Sequence, residues 1–147
     1  TLKAEKGDAE TAAFYQTITD WVIANKGQEY APIFNGKSNN EYYYGSSAYQ
    51  NNFDFRPAKW REQNAAAYGN MSDADLTKLM FERLPEAFLP GLKAIYGSAD
   101  VVEGVDVFYT INFAIYDGSS TTQYTIKYKV TGKGQFEYVA DSLKKVE

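Results

Sequence analysis

The chain contains neither histidine nor cysteine. Disulfides, thiolate nucleophiles, imidazole bases and ordinary zinc sites are therefore excluded within it, as is any Ser-His-Asp or Cys-His device. Acid–base work is left to carboxylates, Tyr and Lys. Sugar hydrolysis would need two carboxyl groups about 5–10 Å apart across a cleft. Glu82 and Glu86 stand four residues apart, but Pro85 between them spoils helical spacing. Glu41 and Asp54 flank a Tyr-rich segment and would converge only if it folded back as a hairpin. The plain expectation for all four is a solvated surface charge.

Other short patterns carry less. The stretch 35–41 (NGKSNNE) and the turn Asp117-Gly118 hold oxygen ligands, but neither alternates as a calcium loop does, and Lys37 puts a cation among the donors. Asn70-Met71-Ser72 fits a glycosylation triplet, yet Ser72 has its own use as a helix cap. No catalytic residue, metal site or cofactor is assigned.

The segment 41–60, EYYYGSSAYQNNFDFRPAKW, resists a purely structural account. Rings bearing hydroxyls, interleaved with Ser, Gly and Asn, are the palette of adaptable recognition surfaces, and Tyr, Trp and Arg are common anchors at protein contacts. The candidate ligand-binding residues are Tyr42, Tyr43, Tyr44, Tyr49, Asn51, Asn52 and Trp60. The competing reading is that Tyr43, Tyr49, Phe53 and Phe55 nail a long loop to the core.

The elements that must position this segment follow from periodicity. Phe14, Ile18, Trp21 and Val22 fall on one face of a helix over 9–26, with Asp8 as N-cap and Gly27 after its end. Arg56-Pro57 marks a boundary before a helix over 57–68. Ser72 caps a further helix, with Asp73 and Asp75 at the positive end of its dipole. Pro85 and Pro90 predict two helices or a kinked one, 73–84 and 86–96, ending at Gly97. Segment 35–54 reads as loop, with 42–44 and 53–55 as short strands or aromatic anchors.

From 105 the period switches to two. Val105, Val107, Tyr109, Ile111, Phe113 and Ile115 alternate along a first strand, which Phe108 and Tyr116 on its second face mark as innermost. Asp117 to Ser120 turns into 121–131, where Thr122, Tyr124, Ile126, Tyr128 and Val130 face inward. Lys127 and Lys129 face solvent and would guard an outer edge. Gly132-Lys133-Gly134 turns again before a third strand carrying Phe136 and Tyr138, and Lys144 and Lys145 fall in a frayed tail. The fold class is α+β: one domain over 1–147, with N-terminal helices packed on a C-terminal antiparallel β-meander of three or four strands.

At 147 residues with a formal charge of −4 and scattered Lys and Arg, the chain has no basic stripe, so nucleic acid is not expected as a partner. No apolar run reaches the roughly 20 residues of a membrane helix. The aromatic share is 16%, including thirteen Tyr and nine Phe. The start at Thr1 suggests that an upstream signal or domain has been removed.

The run from Tyr44 to Asp54, YGSSAYQNNFD, resembles segments of uncharacterised domains from exported proteins and surface lipoproteins of gut Bacteroides-type bacteria. That resemblance implies an extracytoplasmic place, periplasmic or at the cell surface, and a role in binding or assembly. It transfers no catalytic residue. By layout, a first helix with later helices and a terminal meander is similar to the cystatin-like and NTF2-like group, whose cone often holds a small ligand. An enzyme of that shape would need an acid in the cone, for which Asp106 or Tyr109 would be the nearest substitutes. The leading expectation is a non-catalytic extracytoplasmic module binding a glycan or a protein. The alternatives are an NTF2-like small-molecule-binding domain or enzyme, and a purely structural domain of a surface protein.

Overall fold

The computed structural model describes residues 2–3 and 9–146. In chain order the elements are β1 (Leu2–Lys3), α1 (Ala9–Asn25), a 3₁₀ turn (Gln28–Tyr30), β2 (Ser46–Ser47) and β3 (Asn52–Asp54). Then come α2 (Pro57–Gln63), α3 (Ala65–Tyr68), α4 (Asp73–Ile95), β4 (Phe108–Tyr116), β5 (Thr121–Gly132), β6 (Gln135–Tyr138) and β7 (Lys144–Lys145). The protein is α+β, with helices before a mostly antiparallel sheet. The N-cap assigned to Asp8 lies outside the described residues.

The sheet runs in the order β2-β3-β4-β5-β6, with β1 added to β4 and β7 to β5. Its spine is the β4–β5 hairpin, in which Ile111 faces Ile126 and Phe113 faces Tyr124. Ile111, Phe113, Ile115, Ile126, Tyr128 and Val130 are buried, while Lys127 and Lys129 face out as alternation requires. Strand β4 is the inner strand, flanked on its second edge by β3 and β1.

Three expectations about the sheet need correction. It is not a purely antiparallel C-terminal meander: β3 pairs parallel with β4 through Phe53 and Ile115, and β1 pairs parallel with β4 through Leu2 and Ile111. Strand β5 is not outermost, because β6 and β7 pair along its far edge. Lys144 and Lys145 do not fray, but lie opposite Thr125 and Tyr124. Side-chain alternation tells which face a residue takes. It does not tell which strand lies beyond, since that depends on backbone pairing. The first strand also starts later than expected, at Phe108, after a small bridge between Val102 and Val105.

Helix α4 runs as one helix from Asp73 to Ile95 through Pro85 and Pro90, so of the two alternatives expected, the pair of separate helices falls away. Each proline withdraws one ladder hydrogen bond. Tertiary packing offsets the loss: Leu76, Met80, Leu84, Ala87, Phe88, Gly91 and Leu92 form one buried stripe. In addition, the Tyr128 hydroxyl donates to the Pro85 carbonyl. Ser72 caps as predicted, its Oγ accepting from Asp75 N at 3.1 Å. Gly91 is obligatory, because a Cβ there would come within 2.7 Å of the Phe14 ring of α1. The predicted helix 57–68 is broken at Asn64, whose φ of −142° ends α2 and whose side chain accepts from Ala67 N to start α3.

Helices α1 and α4 and the sheet enclose a core of rings. Phe53 meets Tyr15, Phe88 and Phe113 at centroid distances of 5.5, 5.2 and 5.7 Å. These are edge-on or nearly so, the favoured geometry for aromatic pairs.

Candidate functional site

The polar-aromatic segment is organised around two carboxylates. Glu41 is fully buried. Its Oε2 accepts from the backbone N–H of Tyr43 at 2.6 Å and of Tyr44 at 2.8 Å, and its Oε1 from that of Ser46 at 2.6 Å. The side chain thus closes a tight bend that no strand pairing would satisfy. Burial pushes the Glu41 carboxyl up to about 7, and the backbone donors only partly oppose that. Gly45, with φ 94°, lets the bend lie against Trp60: a Cβ would stand 3.0 Å from both the Asp54 carbonyl oxygen and Trp60 Cζ2.

Asp54 is the second hub and is also buried. Its Oδ1 accepts from Arg56 Nε at 2.8 Å and its Oδ2 from Arg56 Nη2 at 2.6 Å, a bidentate fork. Tyr42 donates to Oδ2 at 3.3 Å, and the Trp60 indole N–H donates to the Asp54 carbonyl at 2.7 Å. Burial, reinforced by the Asp54 charge, holds the Tyr42 hydroxyl up at about 12. The fork raises the Arg56 guanidinium further above its ordinary value. Glu41 and Asp54 are therefore not the solvated charges expected from sequence. Glu82 and Glu86 are exposed, as expected.

Of the seven candidate residues, four are not presented outward. Tyr42 and Tyr44 are 1% and 0% exposed, Trp60 is 0% exposed and Asn51 is 2% exposed. Each of the three rings has an acceptor for its polar group: buried Asp54 for Tyr42 and Trp60, and, for Tyr44, exposed Glu86, whose Oε1 accepts at 2.7 Å. Tyr43 is half-buried, edge-on to Tyr44 at a centroid distance of 4.9 Å. Its ring carries the Arg83 guanidinium at 3.8 Å and Lys26 Nζ at 4.9 Å, and Arg83 also donates to its carbonyl. Tyr49, exposed, and Asn52, half-buried, share one open surface.

That surface is a cleft of about 510 Å³, within the size range of ligand sites, about 300–1,000 Å³. Asn40, Ser47, Tyr49, Gln50 and Asn52 line it together with Asp54, Arg56, Tyr116 and Thr121. Arg56 lies over the Tyr116 ring at 5.5 Å, at the end of β4. Next to the cleft is a hollow of about 340 Å³ lined by Pro32, Phe34 and Asn39, with Asn40 and Tyr49 shared between the two. Phe34 sits on a tight hairpin. Asn35 and Gly36 take φ 52° and 79°, and Phe34 and Lys37 exchange backbone hydrogen bonds of 2.8 and 3.2 Å. This is the geometry of an Asn-Gly hairpin turn. Phe34 and Tyr49 are 73% and 68% exposed.

Sequence reasoning missed Phe34, Asn40, Arg56 and Tyr116 as site residues. The Asn-Gly pair at 35–36 was a hairpin signal that would have placed Phe34 at a tip. Nothing local joins Tyr116 to Arg56, because the parallel β3–β4 pairing brings them together.

A second groove, about 490 Å³, runs between α1 and α4 and is lined by Trp21, Tyr44, Glu86 and Lys93 among others. Asp106, suggested as a cone acid, is exposed and paired with Lys129 at 3.5 Å, and Tyr109 packs on Phe136. Among the described residues no three acidic side chains gather as a metal site would require, and no helix is long and apolar enough to cross a membrane. The chain matches no family model, no curated protein and no solved structure.

Proposed function

We propose that this chain is a non-catalytic glycan-binding module, acting outside the cytoplasm, whose site is the cleft between Tyr49 and Arg56. One observation carries the reading: an exposed Tyr49 borders a cleft whose lining offers amides, hydroxyls and a guanidinium already oriented by Asp54. Rings receive the C–H faces of sugars, and fixed polar groups sort their hydroxyls. Both buried carboxylates hold the site's shape and have their oxygens occupied by internal donors. The extracytoplasmic place rests on the resemblance of 44–54 to exported domains.

Isothermal titration against a glycan panel tests this. The reading expects saturable heat for at least one glycan, lost in Tyr49→Ala, a substitution at an exposed position that leaves folding intact. No heat from any glycan would remove it.

A second reading draws on the Tyr44–Glu86 hydrogen bond of 2.7 Å at the α1–α4 groove. There, a cystatin-like or NTF2-like layout would hold a small molecule beside Trp21. Screening small amines and carboxylates by tryptophan fluorescence tests it: a saturable change absent from Glu86→Gln supports this reading, and a flat response removes it.

A further inference from the structure

The two adjoining hollows differ in chemistry but share a wall. Beside Arg56 the lining is polar: Asn40, Ser47, Gln50 and Asn52 offer amide and hydroxyl groups. Beside Phe34 it is mainly Pro32, Phe34 and the Tyr49 ring. Tyr49 and Asn40 belong to both, so an occupant of one can continue into the other without leaving the surface. The Asn35-Gly36 turn holds Phe34 in place beforehand, which lowers the ordering cost of a contact there.

Charge narrows the occupant. Among the described residues, Asp54 and Arg56 are the only ionic side chains lining either hollow, and they are joined at 2.6 Å. Asp54 is spent on that fork, and the guanidinium keeps Nη1 as a donor without net charge in the site. Lys37, across the hairpin from Phe34, lines neither hollow. An anionic sugar would find no uncompensated cation, and its desolvation would go unrewarded.

We infer that the ligand is an uncharged oligosaccharide of at least two rings, one sorted by its hydroxyls beside Arg56 and the next laid face-on against Phe34, with Tyr49 beneath the linkage. This deepens the glycan-binding reading and rests on it. The two fail differently.

The experiment is calorimetry with neutral gluco-, xylo- and manno-oligosaccharides of increasing length, and with oligogalacturonates as the charged counterpart. Affinity rises about tenfold or more from the monosaccharide to the trisaccharide and then levels off, as a second subsite worth about 1.4 kcal/mol requires. Raising salt from about 0.05 to about 0.5 M changes it less than about twofold, since no ion pair with the ligand is screened. Phe34→Ala removes the gain with length, so that monosaccharide and trisaccharide bind the variant with equal affinity. Equal affinity for monosaccharide and longer chains would overturn the two-subsite inference while sparing the module. Preference for oligogalacturonate with steep salt dependence would overturn the uncharged class. Silence from every glycan overturns the module itself, and the inference with it.

Discussion

In the β4–β5 hairpin nine residue pairs, from Phe108–Lys129 to Tyr116–Thr121, face each other in continuous register. The segment 28–56 packs against the same core with only short pairings and closes instead around the side chains of Glu41 and Asp54. A ladder spreads its hydrogen bonds over many residues, so losing one side chain leaves the backbone paired. A bend closed by one carboxylate concentrates them. Such a segment tolerates change badly at its hubs and freely at its outward positions, which is where Tyr49 and Phe34 stand.

The sharpest way to break the comparison is Glu41→Ala. Three backbone N–H groups, two buried and one partly so, lose their acceptor together, at about 1–3 kcal/mol for each buried one before relaxation. Urea unfolding is expected to show a loss of roughly 4 kcal/mol, whereas a loss below about 1 kcal/mol would mean that the bend holds without its hub.

Next in size is a pH effect. The Glu41 carboxyl titrates near 7 in the fold against 4.5 in its ordinary state. Between those values the folded chain binds more protons than the unfolded one, so this group's contribution to stability falls as pH rises through that window. The difference approaches about 3 kcal/mol. Glu41→Gln lacks this titration, so the stability gap between wild type and variant is expected to be wider at pH 5 than at pH 8. A gap that widens toward high pH would contradict the burial account of Glu41.

On the hairpin side, Ile126→Val trims one buried methyl from β5 and should cost about 1 kcal/mol, with chemical denaturation again the readout. A cost above about 3 kcal/mol would erase the contrast between the two regions. Smallest of all, Lys129→Ala and Tyr49→Ala are expected to stay within about 0.5 kcal/mol of wild type, although only the second abolishes glycan binding.

The same contrast explains what could be read in advance. Alternation from Tyr109 to Ile115 and from Thr122 to Val130 announced the hairpin and its inner face, and helical spacing announced α1. The parallel partners of β4 had no local signal, because β3 is three residues long and its pairing is a tertiary event. Within 41–60, composition marked the right stretch without sorting its rings. Tyr42, Tyr44 and Tyr49 are the same residue type, and their fates depend on where acceptors lie. Asp54 and Glu86 accept from the hydroxyls of the first two, and Glu41, read as a surface charge, closes the bend that carries them. The acid placed five residues before Ser46, with Gly45 between, was the one legible hint of a side-chain-closed bend.

The account depends on Tyr49, Asn52, Arg56 and Tyr116 being the face that meets a ligand while the rings behind them are structural. A ¹H–¹⁵N correlation spectrum recorded during titration with a neutral oligosaccharide tests this most directly. Shifts should gather at the amides of those four residues and of Phe34, with the Trp60 indole resonance and the amides of Tyr42 and Tyr44 unmoved. Shifts centred on the Trp60 indole, or no shift anywhere at saturating sugar, would contradict it.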